Sequence, residues 1–100
     1  MDGLDLREKD LTTLRDTLRR FPCVKEAWIY GSRAKGCARR ASDVDLAILA
    51  DATSAEWDGL YAALEEAPII YQLDIVRPER LANIKLRDKI YTEGVKIYPE

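Results

Sequence analysis

The chain has no histidine among its 100 residues. That absence removes Ser-His-Asp and Cys-His catalytic arrangements and the usual imidazole zinc sites. Cysteine is scarce: Cys23 and Cys37 are the two present, and their spacing fits no metal-ligand motif. They read as free thiols in a reducing compartment. No apolar run approaches the ~20 residues of a membrane-spanning helix. The acidic N-terminus carries no signal-peptide pattern. These features predict a cytoplasmic protein with no membrane partner. A dominant charge is missing too: 16 basic and 18 acidic residues leave a net charge of −2, which implies no broad attraction to nucleic acid. Repeats, low-complexity stretches and interdomain linkers are also absent. Any catalysis must therefore rest on carboxylates, hydroxyls, basic groups or a metal.

What is present is an ordinary globular composition, 47% hydrophobic and 34% charged, which predicts one domain over residues 1–100. A chain of this length buries roughly two-thirds of its unfolded surface, enough for one core. Leu4, Leu11, Leu14 and Leu18 recur at helical spacing over residues 4–20, before a stop at Pro22. Residues 24–30 are β-branched and aromatic and predict a strand ended by Gly31. Ser32 then reads as the N-cap of a short helix closed by Gly36, followed by a basic loop over residues 37–41. A second strand is predicted over 43–50, with Val44, Leu46 and Ile48 facing the core. A helix follows over 54–66, with Ser54 as N-cap and Glu56 in its first turn. A third strand is predicted over 70–76, a helix over 78–93 opened by Pro78 and closed by Gly94, and a short strand over 95–98. The alternation predicts an α/β fold (α+β by some schemes), a small mixed sheet packed with helices. The connection between the first two strands is too tight for an obvious parallel crossover.

Three carboxylates interrupt the apolar strands. Asp43 and Asp45 lie in Ser42-Asp43-Val44-Asp45-Leu46, and Asp74 lies in Leu73-Asp74-Ile75-Val76. Asp is depleted from strands, and an unpaired buried carboxylate is costly. Strand alternation puts Asp43 and Asp45 on one face. If the third strand neighbours the second, Asp74 joins them. Such a cluster calls for a cation, and magnesium takes oxygen ligands shared between carboxylates and phosphates. Two ions about 3.5–4 Å apart would form the clamp of an in-line displacement at phosphorus. The alternative for a lone Asp-x-Asp pair is a solvated strand edge or turn cap; a third carboxylate in a second apolar strand favours the metal. Upstream, Gly31-Ser32 is a turn through which a phosphate can approach backbone N–H groups, although the pair alone would equally suit a plain strand-to-helix turn. Arg33 and Lys35 could help neutralise a triphosphate, while Arg39 and Arg40 could dock a partner; at least two of these four are expected to be merely solvated. Lys85, Arg87 and Lys89 read as an exposed helix face, and Trp28, Trp57 and Tyr61 more readily as core than as a base-stacking platform.

Together, Gly31-Ser32-Arg33-Ala34-Lys35-Gly36, a short basic loop, Ser42-Asp43-Val44-Asp45-Leu46 and Asp74 in an apolar strand resemble the polymerase-beta-type nucleotidyltransferase superfamily, and at this length its minimal nucleotidyltransferase (MNT) branch. Lys35 and Val44 replace the Arg and Ile common in that pattern. The resemblance implies the polymerase-beta-like nucleotidyltransferase fold. It implies transfer of a nucleoside monophosphate from a nucleoside triphosphate, ATP, to an acceptor hydroxyl, with two Mg2+ ions and release of pyrophosphate. Asp43, Asp45 and Asp74 would be the catalytic metal ligands, and Gly31, Ser32 and Arg33 the nucleotide contacts. It further implies a HEPN-domain toxin as partner, with the chain acting as antitoxin by adenylylating a tyrosine of that toxin. The alternative is an antitoxin that neutralises its partner by binding alone. One hundred residues suffice for one core, so the acceptor pocket is expected to be completed by another protein or a second copy of the chain. Nucleic acid is not expected as a partner.

Overall fold

The computed structural model describes residues 4–36 and 43–100. Four strands form one mixed sheet: β1 (Val24–Tyr30), β2 (Val44–Ala50), β3 (Leu73–Val76) and β4 (Val95–Tyr98), in the spatial order β3-β2-β1-β4. β2 runs antiparallel to β1 and parallel to β3, while β4 is antiparallel to β1. The helices are α1 (Glu8–Arg19), the single-turn α2 (Ser32–Lys35), α3 (Ser54–Glu66) and α4 (Ile84–Glu93), with a 3-10 turn over Pro78–Arg80. None of the described helices is long and apolar enough to cross a membrane.

Alternation along the strands builds the core on one face of the sheet. Ile29 pairs with Leu46 and Ala27 with Ile48 across β1 and β2, and all four are fully buried. Val44 and Leu46 stand beside Leu73 and Ile75 of β3. Leu14 and Leu18 of α1 and Leu60 and Leu64 of α3 close over this face. A fully buried leucine or isoleucine contributes about 1.5–3 kcal/mol over the exposed state, so this layer carries much of the fold. Tyr30, Asp45 and Asp74 fall on the opposite face.

Strand β1 and helix α3 occupy the ranges predicted from the sequence. The first helix begins at Glu8 instead of residue 4, because both backbone groups of Asp5 are engaged elsewhere: its N–H donates to the Arg33 carbonyl at 2.8 Å and its carbonyl accepts from Arg33 Nη1 at 2.9 Å. The N-cap of α3 is Thr53 and not Ser54. Thr53 Oγ1 accepts from the Glu56 N–H at 3.1 Å while Glu56 Oε1 accepts from the Thr53 N–H at 2.9 Å, a reciprocal capping box. The N-cap of α2 is likewise Gly31, one residue before the Ser32 predicted. Residues 78–93 do not form one helix. The chain leaves the 3-10 turn extended at Leu81 and restarts at Asn83, whose side chain accepts from the Leu86 N–H at 3.2 Å. Gly94 ends α4, but with an extended backbone; its lack of a side chain serves space, since a Cβ there would sit 3.1 Å from the Ile29 carbonyl oxygen. β3 is shorter than predicted and starts at Leu73.

Candidate active site

Parallel pairing of β2 with β3 places Asp74 directly opposite Asp45, and antiparallel pairing of β1 with β2 places Tyr30 opposite Asp45 on the other side. One row, Tyr30-Asp45-Asp74, therefore crosses three strands on the face away from the core. Asp45 is half-buried and Asp74 exposed. Asp43, one residue before β2, is exposed at the mouth of the row.

The electrostatics follow from this spacing. Burial raises the Asp45 pKa above its ordinary value, and repulsion from Asp74 and then Asp43 adds to the rise. The Tyr30 phenol is pushed up to about 12, first by burial and then by the negative charges of Asp45 and Asp74. Burial acts first on both groups, and the charge of Asp74 adds to each. Tyr30 was not anticipated as part of the site. Strand alternation and its place just before Gly31 were the available signals, but its pairing with Asp45 is a property of the sheet.

Gly31 closes the other side of Asp45. Its φ of +74° with ψ of −153° is a backbone conformation reserved for glycine. A Cβ at this position would collide with Oδ2 of Asp45 and lie 3.3 Å from its Cγ. The glycine is required twice, by its dihedral angles and by the carboxylate packed against it. Ser32 follows as the first residue of α2 and is half-buried. The N–H groups of Ala34 and Lys35 donate to the Gly31 carbonyl at 3.1 and 3.3 Å, forming the single turn that Gly36 ends with a left-handed φ of +71°.

The basic residues separate from one another. Arg33 is 4% exposed; its guanidinium donates to the Asp5 carbonyl and lies 4.3 Å from the Tyr71 ring centroid. It ties the N-terminal segment to the chain before β3. Lys35 is exposed and pairs at 3.0 Å with Glu93 at the end of α4, which lowers the Glu93 pKa. Arg39, Arg40 and the rest of the basic stretch 37–41, with Ser42, lie outside the described residues.

Among the described residues, no three acidic or thiol side chains converge tightly enough to cage an ion. Like charges in a row resist such convergence. The donor set nevertheless suits a hard divalent cation: it is all carboxylate oxygen, and its field already penalises the ionised forms of Asp45 and Tyr30. Mg2+ is commonly held by one or two carboxylates together with substrate phosphates and not by an all-protein cage, so an open row fits it.

Three comparisons with known proteins agree with this geometry. Residues 12–100 match the family model described as "Polymerase beta, Nucleotidyltransferase". A Haemophilus influenzae protein named "Probable protein adenylyltransferase MntA" is 29% identical over 75 residues, covering 73% of this chain and 66% of that protein, just under two-thirds of its length. A solved structure of a candidate minimal nucleotidyltransferase is 30% identical with a TM-score of 0.62, over 86% of this chain and 94% of the other. The complex of tri-AMPylated Shewanella oneidensis HEPN toxin with MNT antitoxin contains a chain of the same fold, 20% identical with a TM-score of 0.59, over 91% of this chain and 71% of that one.

Proposed function

Because the chain belongs to the polymerase beta nucleotidyltransferase family, we propose that it transfers AMP from ATP to a hydroxyl on a protein partner, a tyrosine of a HEPN-domain toxin, and so acts as an antitoxin. The observation that carries this reading is the Tyr30-Asp45-Asp74 row with Gly31 packed against Asp45. The adenylyltransferase relative and the AMPylated toxin bound to an MNT antitoxin support the choice of nucleotide and partner.

In this reading Asp43, Asp45 and Asp74 are the residues that would hold two Mg2+ ions. When bound, the ions would supply charge neutralisation for the triphosphate and for the negative charge developing at phosphorus. The Gly31 turn admits the β- and γ-phosphates to backbone N–H groups, and the Ser32 hydroxyl donates to a phosphate oxygen. A carboxylate oxygen of Asp74 takes the proton of the acceptor hydroxyl as the hydroxyl oxygen attacks the α-phosphorus. The new O–P bond forms in line with cleavage of the bond to the β-phosphate oxygen, and pyrophosphate leaves. Asp43 and Asp74 are exposed, so the acceptor must arrive on a surface of its own, consistent with a partner protein completing the pocket.

The test is incubation of the purified chain and toxin with labelled ATP and magnesium. Label is expected on the toxin with the wild type and not with Asp45→Asn. Equal labelling by the two proteins would refute transfer at this site, and protection of cells by Asp43→Asn plus Asp45→Asn would favour neutralisation by binding alone.

A further inference from the structure

The carboxylate row ends against an aromatic wall. Trp28 precedes Tyr30 by two residues, so both side chains stand on the same face of β1. Trp28 is opposite Ala47, which puts it diagonally across from Asp45, a separation of about 7–8 Å between backbones. Tyr91 of α4 meets Trp28 edge to face, with ring centroids 5.3 Å apart and planes at 88°. Trp28 Nε1 donates to Glu26 Oε1 at 3.1 Å, which sets the orientation of the indole. The indole is half-buried and Tyr91 is 37% exposed, and neither belongs to the core cluster under α1 and α3. Ala47 is fully buried, and the 3-10 turn and α4 pack on β2 and β1 beside it. The open shelf of the row therefore gives way at Trp28 and Tyr91 to a covered region.

We propose that Trp28 and Tyr91 form the ledge on which the base of the nucleoside triphosphate stacks, one nucleoside length from the carboxylates. This rests on the nucleotide reading above and extends it to the base. A triphosphate seated at Gly31-Ser32, with its α-phosphate at Asp45, leaves the nucleoside two directions along the row's face: toward solvent beyond Asp43, or toward the Trp28–Tyr91 wall. Among the described residues, the second offers the paired rings of Trp28 and Tyr91. Stacking on such a ledge is tolerant of base identity, since every base has a π face, and favours purines through their larger area. The other tryptophan, Trp57, is engaged by the Arg77 guanidinium 4.4 Å from its ring centroid.

The experiment is calorimetric titration of the whole chain with ATP and, separately, with inorganic tripolyphosphate, both with Mg2+. Trp28→Ala and Tyr91→Ala are expected to weaken ATP about 5- to 160-fold and to leave tripolyphosphate binding unchanged. Trp28→Phe keeps a stacking ring and should retain most of the ATP affinity. In a Trp57→Phe background, ATP should quench the remaining Trp28 emission and tripolyphosphate should not. ATP affinity unchanged in Trp28→Ala and Tyr91→Ala, with no quenching, overturns the ledge while leaving the nucleotide reading intact. Equal loss of both ligands in Tyr91→Ala also overturns it, because the effect is then not on the base. Failure of the wild type to bind either ligand overturns the ledge and the nucleotide reading together.

Discussion

Asp45→Asn removes one of the negative charges from the Tyr30-Asp45-Asp74 row while keeping the shape of the side chain beside Gly31. Adjacent strands lie about 4.8 Å apart. Two unit charges at about 5 Å repel by about 0.8 kcal/mol in bulk water and about 3.3 kcal/mol at an effective dielectric constant of 20. Asp74 is exposed and Asp45 half-buried, so screening places the effect near the lower bound, about 1 kcal/mol. For a domain of about 100 residues that corresponds to a rise in Tm of roughly 4–8 °C. The pH dependence has a definite sign. The folded chain raises the Asp45 pKa above 3.8, so the native state binds this proton more tightly than the unfolded state. Wild-type stability should therefore fall as pH rises from about 3.8 through the folded-state pKa, and Asp45→Asn should lack that step. Melting both proteins in metal-free buffer across the acid-to-neutral range measures the difference. Added Mg2+ should raise the Tm of the wild type more than that of the variant, by preferential binding to the native state. The variant is thus expected to be more stable and inactive. A lower Tm at neutral pH, or a Tm difference independent of pH, would show that Asp45 is stabilised in the fold and that the repulsion argument is wrong.

Gly31→Ala should lose more than about 1 kcal/mol of stability, from the strained φ and the collision with Asp45, and should lose transfer as well; chemical denaturation and the labelling assay measure the two effects. Leu46→Ala, at a fully buried position between β1 and β3, should cost about 2–5 kcal/mol in the same denaturation experiment, with a lowered midpoint and an unchanged slope. Thr53→Ala breaks the capping box of α3 and should cost about 0.5–2 kcal/mol without altering nucleotide binding. Arg33→Lys should lower the melting temperature through loss of its contacts with Asp5 and Tyr71, while the KM for ATP stays unchanged.

Residues 24–30 and 54–66 were legible because their signals are local. A run of β-branched and aromatic residues stopped by Gly31, and a helix bounded by a capping residue and Pro68, do not depend on distant partners. The boundaries that shifted did so for reasons outside the segment concerned or through competition among neighbouring polar residues. Asp5 is diverted by Arg33, 28 residues away, and Thr53 takes the cap because its reciprocal partner, Glu56, is three residues on. The place of Arg33 in the turn was legible, but its burial against Tyr71 appears only in the folded chain.

Taken by itself, the sequence determined which chemistry is available. Without histidine, and with three aspartates in or beside apolar segments and a Gly-Ser turn, it offered oxygen donors and a small-residue turn. Alternation alone placed Asp43 and Asp45 on one face. Tertiary structure decided that β3 lies parallel to β2 in the register that sets Asp74 against Asp45, that Tyr30 completes their row, and that Trp28 and Tyr91 border it. The physical reason is that side-chain alternation is set by the local backbone. Strand order and register are settled by burying Leu46, Ile75 and their neighbours beneath α1 and α3, which no single segment can do alone.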